Sequence, residues 1–164
     1  QSLGIAPARL AFSTGVLISC YSVAAAMSAS LLGRASRRWT PRGLLIGSLL
    51  AGAAVVWPMA KVGSFEAVLG LAVLLGLASG GALTLCYTIG GLVVSGAQRA
   101  TAFGFFSSAA LFGGALSPSV AGLLVRWDLK AIYLVDAAIF ALLAAALWLA
   151  APRVARPAGT VEGT

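Results

Sequence analysis

Gly33-Arg34-Ala35-Ser36-Arg37-Arg38-Trp39-Thr40-Pro41-Arg42-Gly43 is a short basic stretch set between two long apolar runs. Four arginines and no acid stand within it. Flanking it, residues 10–32 and 43–59 carry almost no charge, and each is close to the ~20 residues that a helix needs to cross a bilayer. The stretch therefore reads as a loop at one membrane face, and it orients everything around it.

Composition supports that reading. The chain is 60% hydrophobic and only 9% charged, too few charges to solvate a globule and more apolar side chain than one core can hide. Three further apolar segments follow, at residues 65–94, 100–125 and 131–151, giving five expected spans. The expected fold is an all-α membrane bundle of five transmembrane helices over residues 1–152. Pro152 ends the last span, and the polar tail, residues 153–164, is expected to be disordered and cytoplasmic. Because the chain opens on Gln1 in a loop-like stretch, it is expected to be a fragment of a longer protein, with a processed chain as the alternative.

Small residues pattern the spans. Gly15, Ser19, Ser22, Ala26, Ser30 and Gly33 recur at helical spacing along one face of the first, which is expected to meet protein. Gly43, Gly47 and Ala51 repeat every fourth position in the second. The fourth carries Gly113, Gly114, Ser117, Pro118, Ala121 and Gly122, where a kink is expected with small residues around it.

With the arginine loop inside, alternation places Arg34, Arg37, Arg38, Arg42, Arg99, Arg153 and Arg156 on the cytoplasmic side. Only Arg9, Lys61, Arg126 and Lys130 fall outside. All four tryptophans sit at span ends, Trp39 and Trp148 inside, Trp57 and Trp127 outside, as an aromatic belt would require. This puts residue 1 outside and the C-terminus in the cytoplasm, in a plasma or inner membrane.

Several function classes fall away. The net charge of +7 lies in short gaps between spans and forms no basic face, so nucleic acid is not an expected partner. No histidine is present, no metal-ligand cluster can be assembled, and no nucleophile, base and orienting group combine, so neither an enzyme nor a metal or other cofactor is expected. Cys20 and Cys86 both lie inside apolar runs, which argues against a disulfide and against a reactive thiolate.

A faint echo links Ala29-Ser30-Leu31-Leu32-Gly33-Arg34 with Ala121-Gly122-Leu123-Leu124-Val125-Arg126, three spans apart and on opposite sides of the membrane. An inverted repeat of three helices would produce that relation.

On these residues the chain resembles the C-terminal half of a major facilitator superfamily transporter, its five segments looking like helices eight to twelve of twelve. Residues 33–42 resemble the family's loop motif: Gly33, Arg38 and Arg42 match, while Arg37 replaces its Asp, Thr40 its Gly and Pro41 an Arg. Residues 113–122 resemble the family's antiporter motif through Gly113, Pro118 and Gly122, with Ser117 and Ala121 in place of two glycines. That motif belongs to the fifth helix, so helices two to six are the alternative placement. Ala72 stands where the first half would carry an Arg, which favours the second half.

The resemblance implies a secondary transporter: proton-coupled efflux of a small amphipathic molecule by alternating access, with a midplane cavity. It also implies that the N-terminal half and this half's first helix are missing partners, alongside the lipid bilayer and a small-molecule substrate. Substrate-path candidates are Cys20, Tyr21, Thr84, Tyr87, Phe106, Ser108 and Phe112, each of which could equally be packing. The loop reads either as a topology signal or as a gate, and the Gly/Ser/Pro run as helix packing ahead of substrate contact. Asp136 is a possible proton site, but its place near the outer end of the last span ranks interfacial anchoring first. A small helical membrane scaffold without transport activity is the alternative function.

Overall fold

The computed structural model describes residues 9–126 and 128–149. It contains five helices long and apolar enough to cross a membrane: α1 (Leu10–Ala35), α2 (Pro41–Met59), α3 (Phe65–Val93), α4 (Arg99–Val125) and α5 (Leu129–Leu149). No strand occurs among the described residues. Trp127, the end of the fifth span beyond Leu149, the tail and its Arg153 and Arg156 lie outside them.

The helices reach further than hydropathy marks. α1 runs on to Ala35 and α2 begins at Pro41, so only residues 36–40 connect them. The cations do not break either helix. Arg34 lies in the last turn of α1, where a cation complements the helix dipole, and Pro41 occupies the first turn of α2, where its missing N–H costs nothing. Ser36 closes α1 by donating its hydroxyl to the Gly33 carbonyl at 2.8 Å, and the Arg38 and Trp39 amides both return to the Ala35 carbonyl at 2.9 Å. The start of α5 is likewise set locally: Asp128 Oδ1 accepts the Lys130 amide at 3.0 Å, a side-chain N-cap.

Between α3 and α4 a single 3-10 turn, Gly96–Gln98, reverses the chain. α4 then continues unbroken through Pro118.

Packing is uneven. α1 lies closely along α3, while α2 is wedged between α3 and α5. Leu45, Leu49, Leu85 and Ala144 form the buried centre of the second contact, with Phe140 and Leu147 against it. In lipid the hydrophobic effect does not drive helices together, so close van der Waals fit must. α3 supplies it through glycine. A β-carbon on Gly76 would lie 2.5 Å from the Tyr21 carbonyl oxygen, one on Gly80 would overlap the backbone of Ala25, and one on Gly81 would overlap the Leu32 side chain.

The contact face of α1 is thus Tyr21, Ala24, Ala25, Ser28 and Leu32, not the small-residue stripe. Gly15, Ser19, Ser22, Ala26 and Ser30 of that stripe are exposed with respect to the described residues. The reason is that α3 carries the glycines: against Gly76 and Gly80 the α1 backbone at Tyr21 and Ala25 lies close, and Leu32 packs over Gly81.

α4 buries no residue at all. It rests lightly on α3 and α5.

Candidate functional site

α4 is held to α3 by an aromatic group centred on Tyr87. Its ring meets Phe103 edge-on at 5.6 Å between centroids and 64°, and Phe106 at 5.9 Å and 86°. The Tyr87 phenol shares a 2.8 Å hydrogen bond with the Ser107 hydroxyl. Room for the rings comes from the next turn of α3. A β-carbon on Gly90 would overlap Phe106, and one on Gly91 would sit 3.4 Å from Phe103. Phe103, Phe106 and Ser107 stand at i, i+3 and i+4, one helical face. Together with Tyr87 they offer ring edges and a hydroxyl pair on a partly exposed surface.

Of the seven substrate-path candidates, the structure brings together only Tyr87 and Phe106. Ser108 and Phe112 lie on the same helix but are rotated about 200° and 240° from Phe106 at ~100° per residue, so they face away from α3. Both are exposed with respect to the described residues. Tyr21 sits at the α1–α3 contact, 3.3 Å from the Ser79 hydroxyl. Since Ser79 donates its own proton to the Leu75 carbonyl at 2.7 Å, the Tyr21 phenol is the donor in that pair. Thr84, half-buried, stands opposite Gly33, and its carbonyl accepts the Thr88 hydroxyl at 2.9 Å. Cys20 lines a separate apolar groove of about 460 Å³ with Val23, Met27 and Leu77. It and Cys86 are free thiols.

Phe103, Ser107 and Ser79 were not among the candidates. A signal for the first two existed in the sequence: Tyr87 is followed at three and four residues by Gly90 and Gly91, and Phe103 at three and four by Phe106 and Ser107. Ser79 had no comparable pattern.

The loop motif divides. Gly33 belongs to α1. Arg42 reaches the far end of α5, where its Nη2 donates to the Leu147 carbonyl at 2.7 Å and to the Trp148 carbonyl at 2.9 Å. A helix could not supply the Trp148 carbonyl with its own partner in any case, because residue 152 is proline and has no N–H. The bond also shows that the start of α2 and the end of α5 share one face of the bundle. Arg38 is exposed and makes no side-chain bond to a described residue.

In the Gly/Ser/Pro run, Gly113, Ser117, Pro118 and Gly122 are all exposed with respect to the described residues. Space around Gly113, Gly114 and Gly122 is open within 4 Å, so no described helix fills the notch expected there. Asp136 lies seven residues into α5, beside the stripe of Tyr133, Ala137, Phe140, Ala144 and Leu147 by which that helix packs, and makes no hydrogen bond or ion pair with a described residue. Among the described residues no three His, Cys, Asp or Glu gather as a metal site would require.

Five membrane-length helices, two motifs in order and an Arg-rich connection between the first two spans define the chain. The family model described as Major Facilitator Superfamily matches it over residues 1–163. The chain belongs to the major facilitator superfamily. No curated protein and no solved structure matches it. As a superfamily chain it is a multi-pass membrane protein from a family of transporters, not enzymes.

Proposed function

We propose that the chain forms the second-half bundle, helices eight to twelve, of a secondary transporter that exports a small amphipathic molecule in exchange for protons. The observation that carries this reading is the surface around Tyr87, which combines aromatic rings with a hydroxyl pair. Along α1, α3 and α4 the only Asp, Glu, Lys or Arg residues are Arg34, Glu66 and Arg99, all near helix ends. A flat, partly apolar solute can stack on such rings and take orientation from the hydroxyls, whereas a strongly charged solute would find no counter-ion there.

Alternating access is the mechanism that fits the packing. α1 and α3 are locked by backbone contact and move together, while α4 is joined to them mainly through the Tyr87 rings. Rocking of one bundle against another would then alter the surface that α4 presents. By the positive-inside rule the arginine-rich end faces the cytoplasm of a cell bounded by this plasma or inner membrane.

The test is flux through the full-length parent protein in proteoliposomes. An imposed proton gradient should drive a fluorescent, uncharged amphipathic dye across, and Tyr87→Ala and Phe106→Ala should each slow it. Uptake of a small polar nutrient, or dye movement indifferent to the gradient, would overturn the efflux reading. No flux of any solute would favour a helical scaffold instead.

A further inference from the structure

α1 and α2 follow one another in the chain, yet they make no substantial contact. Between them lies a cavity of about 700 Å³, floored by Leu77 and Ala78 of α3. Its walls are mostly hydrocarbon, Leu31 on one side and Leu44 and Ala51 on the other, with Ser28, Thr40 and Ser48 the polar residues of the lining. Gly47 widens it: a β-carbon there would meet nothing within 4 Å, so no described helix packs against this glycine. Leu31 and Trp39 are 58% and 70% exposed, so the cavity opens sideways, where lipid lies. From Pro41 to Ala51 the α2 wall rises about 15 Å, the hydrocarbon depth of one leaflet.

Cations neighbour this slot in the chain: Arg34 stands one turn beyond Leu31, and Arg37 and Arg38 directly precede Trp39. Arg34, Arg37 and Arg38 are exposed, and no hydrogen bond or ion pair ties their side chains to a described residue. Arg42 is committed to α5. No carboxylate occurs in the first 60 residues, and Glu66 belongs to the opposite end of the bundle, in the first turn of α3. Unpaired guanidinium groups above an apolar slot of one-leaflet depth match the charge and shape of a phosphate above an acyl chain.

We propose that the α1–α2 groove binds an anionic phospholipid, with one acyl chain lying between Leu31 and Gly47 and its phosphate among Arg34, Arg37 and Arg38. A zwitterionic lipid has the same chain, but its amine offsets the phosphate charge, so the groove selects for the anionic headgroup. This goes beyond the transport reading and does not depend on it.

Trp39 lines the groove and reports on its occupant. The full chain, with Trp57, Trp127 and Trp148 changed to Phe, would be reconstituted in phosphatidylcholine vesicles containing brominated lipid. At equal mole fraction, brominated phosphatidylglycerol should quench Trp39 several-fold more effectively than brominated phosphatidylcholine. Arg34→Gln, Arg37→Gln and Arg38→Gln should each lower that preference by up to about fivefold. Gly47→Leu, which fills the slot and leaves the arginines, should abolish it. Native mass spectrometry of the unmutated chain provides a reading free of folding effects, with a one-to-one phosphatidylglycerol adduct expected and no phosphatidylcholine adduct. Equal quenching by the two lipids, equal adducts, or a preference that survives either Gly47→Leu or loss of all three arginines would overturn the proposal.

Discussion

Gly80 of α3 lies so close to Ala25 of α1 that a β-carbon on the glycine would overlap the alanine backbone. Backbone against backbone leaves nothing to yield, because neither partner is the flexible end of a side chain. Gly80→Ala should therefore push the helices apart and lower stability by about 1–3 kcal/mol, as overpacking does. Gly70→Ala is the control on the same helix, since space around Gly70 is open within 4 Å. It should be neutral or slightly stabilising, by up to about 1 kcal/mol from helix propensity. Thermal unfolding in detergent, with cysteine cross-linking across the α1–α3 contact, reads both.

Arg42 holds the end of α5 by two hydrogen bonds to backbone carbonyls. Arg42→Ala should cost about 1–2 kcal/mol, less than for a fully buried charged bond because one of the two is exposed to solvent. Arg42→Lys should retain part of this, because both bonds come from the one nitrogen Nη2 and an ammonium also carries several donors on one nitrogen, but the shorter lysine side chain reaches the two carbonyls less well. Hydrogen exchange of the last turn of α5 would show the loss locally.

Tyr87→Phe keeps the two ring contacts and removes only the bond to Ser107. In the full-length transporter this should leave expression and folding intact and change apparent solute affinity by up to about tenfold, the scale of one neutral hydrogen bond. Tyr87→Ala should do more, because it also frees α4 from α3. Comparing the two in a binding assay separates the hydroxyl's part from the ring's.

Asp136 stands off the packing stripe of α5 with no described partner. Asp136→Asn should leave proton-driven transport by the full-length protein largely unchanged. Complete loss of coupling at normal expression and helix content would make Asp136 a proton carrier instead of an interfacial anchor.

The five helices were legible because each span carries its own signal, a run of apolar residues of membrane length that needs no partner to be recognised. Their ends were less so. Hydropathy stops at the first arginine, yet Arg34 and Arg42 extend α1 and α2 by lying where the helix dipole or a neighbouring helix end receives them. The candidate site was legible residue by residue and not as a constellation. Choosing Phe106, Ser108 and Phe112 by depth ignores azimuth, and at ~100° per residue Phe106 cannot share a face with the other two. The stripe on α1 shows the same limit: spacing identifies a small-residue face, but which helix covers it depends on where the partner keeps its glycines.

The bond from Arg42 to Leu147 spans 105 positions in the chain. At about 5–20 residues per second, a ribosome needs roughly 5–20 s to deliver the acceptor after the donor. Throughout that interval α2 is already made and its arginine must find water or a lipid phosphate. The contact is therefore a late event in biogenesis, available only once the fifth helix has arrived, and a chain cut short before α5 would carry the unsatisfied guanidinium as a mark that assembly is incomplete.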